Sequence, residues 1–244
     1  MLGGASEARA RNAGDPIVLH YEEGDVMGLQ TVFAEGGERA IGTVEYRQRR
    51  EGNLLSTLRI GRFADGSSDE DLAIARIVNG RLEALRGHQI MRDPAGKVTV
   101  EVSIDVERDR VRAEWGPPGE RESMDESVEL PAGTYWGPLV FIVLKNFEAN
   151  AENDRLAFHT VAPTPRPRML DLELVQGGAE TLERPGLTLA TEHYRLRPAL
   201  HWIIDPILAV LVPDTSFWTL PGEPPGLALF EGPRNYGRER IVLR

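Results

Sequence analysis

The chain has 244 residues, of which 41% are hydrophobic and 27% charged, an ordinary composition for a packed globular protein. Its formal net charge of -10 provides no basic field for phosphates, so we expect no nucleic-acid partner. Because the sequence has no cysteine, disulfides, thiol catalysis and thiolate metal sites are excluded, and the redox compartment stays open.

The first residues are small and polar, which predicts a flexible N-terminal arm over residues 1–14. They lack the apolar core of a signal peptide, and no apolar run reaches the roughly 20 residues of a membrane span. We therefore expect no transmembrane segment. The expected location is the periplasm or the exterior if a leader precedes this sequence, and otherwise the cytoplasm.

Short alternating segments separated by turn residues dominate the chain from residue 15 onwards. In the clearest, Val98 to Val106, every second residue is Val or Ile. Asn79-Gly80 suits a type I′ turn because both positions tolerate positive φ. This pattern predicts one mainly β domain over residues 15–244, built as a large curved antiparallel sheet or open barrel. The predicted strands are 17–22, 26–34, 40–47, 54–63, 72–78, 82–91, 98–106, 111–115, 123–130, 156–161, 169–175, 187–195, 216–220, 227–230 and 240–243.

Two segments break the alternation. Residues 136–147 are apolar all round with Pro138 near the start, which favours a buried helix, although the β-branched residues leave a strand as the alternative. Residues 201–213 are similar, with Pro206 placed to begin a helix and Pro213 to end it. We therefore predict one or two short helices packed on the concave face of the sheet.

No motif in the chain specifies a metal, a cofactor or a catalytic residue. The five histidines lack zinc-ligand spacing, and the oxygen-rich run Asp65 to Asp71 lacks the spacing of an EF-hand loop. Nucleophile-elbow and phosphate-binding glycine motifs are absent. We therefore predict no metal site, no cofactor and no catalytic residue. His88 is the most arguable acid/base in an alternative reading as an enzyme of unassigned reaction, because imidazole titrates near neutral pH.

Large apolar side chains concentrate near the two helix-like segments and could either complete the core or line a cavity. The hypothesis that follows is a non-enzymatic module binding a lipid or other apolar small molecule in the concavity. A third hypothesis is an envelope structural or interaction protein that uses strand edges or an apolar patch. The oligomeric state stays open. The predicted ligand-binding residues are Trp136, Phe141, Trp202, Trp218 and His88.

Six short stretches carry a family resemblance: Phe63 to Glu70, Leu85 to Gln89, Leu144 to Asn146, Val161 to Arg168, Val212 to Trp218 and Phe230 to Pro233. With them, the chain resembles uncharacterised exported bacterial β-rich proteins over about residues 40–244. The resemblance implies a domain of unknown function with a long, curled antiparallel sheet akin to lipoprotein-carrier half-barrels. It implies no catalytic residue.

Overall fold

A computed structural model describes residues 13–117, 119–148, 154–162, 168–184, 186–199, 215–234 and 239–244. Within these ranges the chain forms one α-helix, α1 (Leu139–Lys145), and a single 3-10 turn, Val106–Arg108. The strands are β1 (Ile17–Val18), β2 (Val26–Ala34), β3 (Ala40–Glu51), β4 (Leu54–Phe63), β5 (Ser68–Val78), β6 (Arg81–Arg92), β7 (Val98–Asp105), β8 (Arg110–Trp115), β9 (Glu122–Ser127), β10 (Arg155–Ala162), β11 (Arg168–Arg184), β12 (Leu187–Pro198), β13 (Thr215–Leu220), β14 (Gly226–Pro233) and β15 (Arg240–Leu243).

All these strands belong to one open sheet, as the alternating pattern predicts. Its order is β10-β11-β12-β13-β14-β15-β2-β3-β4-β5-β6-β7-β8-β9, with β1 paired to β6 outside this path. Each neighbouring pair is antiparallel, so the sheet consists of two meanders, β2 to β9 and β10 to β14, that β15 joins by pairing with β2. The prediction of a large, mainly β antiparallel sheet is confirmed.

The helix lies against one face of this sheet. The Phe141 ring contacts Tyr46 on β3 and Phe217 on β13, and the Phe147 ring contacts Tyr194 on β12. Because these strands are far apart in the sheet order, the sheet curves around α1. We call the side that faces α1 the inner face and the opposite side the outer face. The helix predicted over residues 201–213 lies outside the described residues.

The inner face carries most of the core. In β7, Val102 and Ile104 point inward and are buried, while the residues between them are only partly covered. A smaller cluster lies where β15 joins β2 and β3. The larger cluster comprises Ile17, Leu55, Ala73, Ala75, Leu82, Ala84, Val102, Ile104, Val111, Ala113, Leu130, Tyr135, Trp136, Leu139, Ile142, Val143, Leu144, Phe147, Phe158, Val161, Leu172, Leu174, Tyr194, Leu196 and Phe217.

Local turn chemistry follows the sequence at some positions and departs from it at others. Asn79 and Gly80 have φ values of 51° and 71°, as a type I′ turn requires. The strand predicted over 17–22 ends after Val18. The backbone amides of His20 and Tyr21 instead donate to the side-chain oxygen of Asn146, which follows α1. No helix in the described ranges is long and apolar enough to span a bilayer.

Candidate functional site

Four aromatic side chains meet where α1 packs on the sheet, and we call them the aromatic patch: Tyr46, Phe141, Phe217 and Phe230. The Phe141 ring centre lies 6.2 Å from Tyr46 and 6.0 Å from Phe217, both edge to face. Phe230 lies 6.5 Å from Phe141 and 5.4 Å from Phe217. Phe217 is buried, whereas the other three rings are only partly covered. The patch therefore presents apolar ring surface on the inner face.

None of the described residues covers the inner surface at Gly28, beside Tyr46. Gly28 of β2 pairs directly with Tyr46, and Val26 pairs with Gln48, so Gly28 and Val26 face the same side as the patch. A Cβ atom added to Gly28 would meet no other atom of the described residues within 4 Å. Val26 is 48% exposed, high for a valine on the face that carries the core. We call this uncovered area beside the patch the open surface.

The inner face beneath the start of α1 is filled instead. Trp136 is buried, and its indole lies so close to Gly87 of β6 that an added Cβ atom would overlap it. The indole nitrogen is buried with no hydrogen-bond partner among the described residues. Gly137 packs on Asp71 of the neighbouring strand. Trp136 therefore completes the core at this end and does not border the open surface.

A buried polar network fixes the other end of the helix. Lys145 donates to Glu23 Oε2 at 2.5 Å, Gln48 donates to the same oxygen at 3.0 Å, and Asn146 donates to Oε1 at 3.2 Å. The Tyr46 hydroxyl donates to Gln48 at 2.9 Å, and burial raises the pKa of this tyrosine far above its ordinary value. Both oxygens of the buried Glu23 carboxylate thus accept hydrogen bonds. The network ties the aromatic patch to the helix.

A second buried charged group lies further along the inner face. Arg59 of β4 forms ion pairs with Asp69 at 3.1 Å and with Asp71 at 2.6 Å, both on β5. The Asp69 carboxylate lies over Gly61, and neither of its oxygens has a hydrogen bond of good geometry among the described residues. Desolvation by burial raises the pKa of Asp69, although Arg59 opposes the shift. Asp69 is therefore less well satisfied than Glu23.

His88 lies on the outer face, and its neighbour Gln89 points inward. His88 pairs with Leu72 and Ser103 across the sheet, and its Nε2 atom lies 2.9 Å from Glu101 Oε1. It borders a surface depression of about 310 Å³. The depression is lined by Leu72, Ile74, Arg86, Gly87, His88, Ser103, Ile104, Asp105, Arg108, Arg110 and Arg112.

Trp218 also lies on the outer face, because Phe217 beside it points toward the helix. Its ring stacks on His193 with centres 4.6 Å apart, and its indole donates to Glu180 at 2.8 Å. That hydrogen bond lowers the pKa of Glu180, whose other oxygen lies 2.9 Å from His193 Nδ1. The structure thus separates Trp218 from Phe141.

Of the five predicted ligand-binding residues, only Phe141 and Trp136 lie together on the inner face, and Trp202 lies outside the described residues. The sequence reading missed Gly28, Tyr46 and Phe230. The signal available for Gly28 was a glycine inside a strand pattern, which often marks an open or closely approached backbone. Within the described ranges, no group of three or more His, Asp or Glu side chains is placed to hold a metal ion.

Comparison with known proteins supports the fold. The chain is similar to the crystal structure of a beta-barrel-like protein of domain of unknown function DUF1849 from Brucella abortus. The superposition has a TM-score of 0.55 at 10% sequence identity and covers 93% of this chain and 96% of that one. No protein-family model and no curated protein matches the chain. The likeness supports an uncharacterised β-rich domain, and the exported location stays a prediction.

Proposed function

We propose that this protein is a non-enzymatic binding module that holds a lipid or other apolar small molecule on the inner face of its open sheet. The observation that carries the proposal is the aromatic patch beside the open surface. Phe141, Tyr46 and Phe230 offer partly covered rings, and Gly28 leaves room next to them. Covering such apolar surface is favourable by roughly 25 cal/mol per Å², so an apolar molecule of modest size gains affinity there.

The remaining inner-face features support this assignment by shaping the site. Trp136 fills the space at the other end of the helix, so the ligand is expected between Phe141 and β2. The Glu23 network holds α1 against the sheet, which keeps the patch in place without a ligand. A preformed site loses less conformational entropy on binding.

The test is fluorescence titration with 1-N-phenylnaphthylamine, an apolar probe that brightens when it leaves water. We expect saturable binding to the wild type and displacement of the probe by palmitate. Gly28→Phe puts a ring into the open surface without removing a native contact, so we expect affinity to fall by about tenfold or more. Extraction and mass spectrometry of the purified protein would identify a co-purified lipid.

Gly226→Phe is the matched control. Gly226 is also a strand glycine at which an added Cβ atom meets nothing within 4 Å among the described residues, but it lies at the exposed start of β14. The Gly226→Phe variant should bind phenylnaphthylamine with the same affinity as the wild type. Equal affinity in the Gly28→Phe and Gly226→Phe variants, or no saturable binding to the wild type, would contradict the proposal.

The two alternative hypotheses have weaker support. An enzyme that uses His88 would work on the outer face, where His88 and Glu101 are each more than a third exposed and nothing described excludes water. An interaction protein that pairs through strand edges would use β9 or β10, the ends of the described sheet order. However, β9 carries Glu122, Asp125 and Glu126, and such charges oppose edge-to-edge pairing.

A further inference from the structure

The outer-face depression combines an apolar floor with a wall of arginine side chains. Leu72 and Ile74 of β5 form aliphatic surface in it, and the lining includes four arginines. We call it the arginine depression. Acids balance these charges, because Arg86 pairs with Glu107, Arg108 with Asp105, and Arg110 and Arg112 with Asp125. An anionic ligand would therefore be held by guanidinium donors that the acids do not use.

The sheet register explains why the arginines lie on the same side of the depression. Arg86 on β6 pairs with Asp105 on β7, and Asp105 pairs with Arg110 on β8. Directly paired residues project from the same face of a sheet, so these side chains share the outer face. The 3-10 turn after β7 places Arg108 beside Asp105. The backbone amide and the guanidinium of Arg108 both donate hydrogen bonds to Asp105.

Acidic neighbours position the guanidinium groups without using all their donors. Asp125 on β9 accepts two hydrogen bonds from Arg110, each 2.6 Å long, and one from Arg112 Nε at 3.2 Å. Neither Nη atom of Arg112 donates a hydrogen bond to a described residue, since the hydrogen bond to Asp125 comes from Nε. Two parallel N–H donors of this kind match the oxygens of a carboxylate. Arg112 is thus held by its Nε, while its Nη donors are not used by hydrogen bonds to the described residues.

We propose that the arginine depression binds the carboxylate of a small molecule with a short aliphatic chain. The two Nη groups of Arg112 hold the carboxylate, and the chain lies on Leu72 and Ile74. Arg86 and Arg108 lie in the same lining, where each pairs with an acid. The Arg112 side chain is 59% exposed, so the interaction is partly screened by water and the affinity is modest.

The experiment is a calorimetric titration of the intact protein with sodium hexanoate, with 1-hexanol and inorganic phosphate as separate arms. We expect saturable hexanoate binding that is stronger than binding of either reference compound. Arg112→Gln keeps a polar side chain but removes the charge and the paired donors, so hexanoate affinity should fall about tenfold. Phosphate binding as tight as hexanoate would overturn the assignment to a carboxylate with an aliphatic chain.

Arg62→Gln is the matched control because Arg62 also projects from the outer face, is also 59% exposed and pairs with one acid, Glu45, at 3.5 Å. Hexanoate affinity should be unchanged in this variant. Equal affinity in the wild type and Arg112→Gln would overturn the proposal, as would a loss confined to Gly28→Phe. Phenylnaphthylamine binding should be the same in Arg112→Gln as in the wild type, so the two binding proposals fail or succeed separately.

Discussion

In the part of the chain that the structure describes, the inner face of the sheet has a filled part and an open part, and two glycines mark the difference. Gly87 lies under the Trp136 indole with no room for a methyl group, whereas Gly28 has no described neighbour within 4 Å of an added Cβ atom. Both are strand residues on the face that holds the helix. The contrast teaches that a curved sheet with a helix in its concavity need not be filled throughout.

The boundary between the two parts is a polar structure. Glu23 accepts hydrogen bonds from Lys145, Gln48 and Asn146, and this group fixes the C-terminal end of α1 beside the aromatic patch. A buried carboxylate that is fully bonded can hold two elements in one geometry, whereas an unpaired one is costly. The C-terminal end of the helix is therefore held at a fixed place on the inner face.

The largest expected effect on stability comes from removing the Glu23 carboxylate. Glu23→Ala removes the carboxylate, so Lys145 loses its acceptor and Asn146 loses one of two. The free energy of unfolding should therefore fall by about 3–5 kcal/mol. Urea denaturation monitored by circular dichroism measures it. Glu22→Ala is the control, because Glu22 is 90% exposed and its pairing with Arg50 is weak. Similar losses in both variants would mean that the network does not hold the helix.

A smaller loss is expected from overfilling the filled part. Gly87→Ala introduces a methyl group that overlaps the Trp136 indole, and forced repacking of this kind costs about 1–3 kcal/mol. Urea denaturation gives the change in stability, and tryptophan fluorescence reports the displaced indole. An unchanged midpoint would show that Trp136 moves freely and that this part is less well packed than the structure indicates.

The next prediction changes the charge of a buried side chain, that of Asp69, rather than the volume of a side chain. Burial raises its pKa above the ordinary 3.8, so over a range above that pH the folded protein retains a proton that the unfolded chain has lost. The folded state then binds more protons, and the stability contribution of Asp69 falls as pH rises through the range. Asp69→Asn should therefore gain stability relative to the wild type as pH rises above the ordinary pKa of the carboxyl group.

Asp65→Asn is the control of opposite sign. Hydrogen bonds from Ser67 lower the pKa of Asp65, so the contribution of this carboxylate is present above its ordinary pKa and is lost as pH falls. Relative to the wild type, the Asp65→Asn variant should lose stability as pH rises. The same pH slope in both variants would refute the contrast between the two carboxylates.

The smallest effect is expected at the open surface. Gly28→Ala adds a methyl group that meets no described atom, and Gly28 lacks a positive φ, so reduced freedom of the unfolded chain should leave stability unchanged or raise it by up to about 1 kcal/mol. Thermal unfolding measures it. A loss as large as that of Gly87→Ala would show that the surface beside Tyr46 is covered.

Most of the fold could be predicted because period-two alternation and turn residues act locally. The strands Leu54–Phe63 and Arg240–Leu243 have the predicted bounds. β11 was predicted to end at Val175 but continues to Arg184. An extra residue at Gly177 forms a bulge between Gln176 and Gly178, which keeps the pairing with β12 intact. A bulge shifts the alternation of inward and outward side chains by one residue. Period-two alternation alone therefore does not predict that the strand continues beyond the bulge.

The candidate site was harder to predict because alternation does not say which of two faces meets the core. Phe217 and Trp218 are both large and apolar, and only the packing of Phe217 on Phe141 shows which one points inward. The same ambiguity applied to His88 and Gln89. The patch also joins β3, α1, β13 and β14, whose convergence depends on the curvature of the whole sheet.

The strand order also leads us to expect a particular sequence of events during folding. The two meanders are built mainly from hairpins between neighbouring strands, which can form as soon as each pair leaves the ribosome. β15, residues 240–243, pairs with β14 on one side and with β2 on the other. More than two hundred residues of chain separate β15 from β2. Joining the meanders is therefore expected to be a late step in biosynthesis, and until it occurs β2 and β14 both present unpaired edges for chaperones to protect.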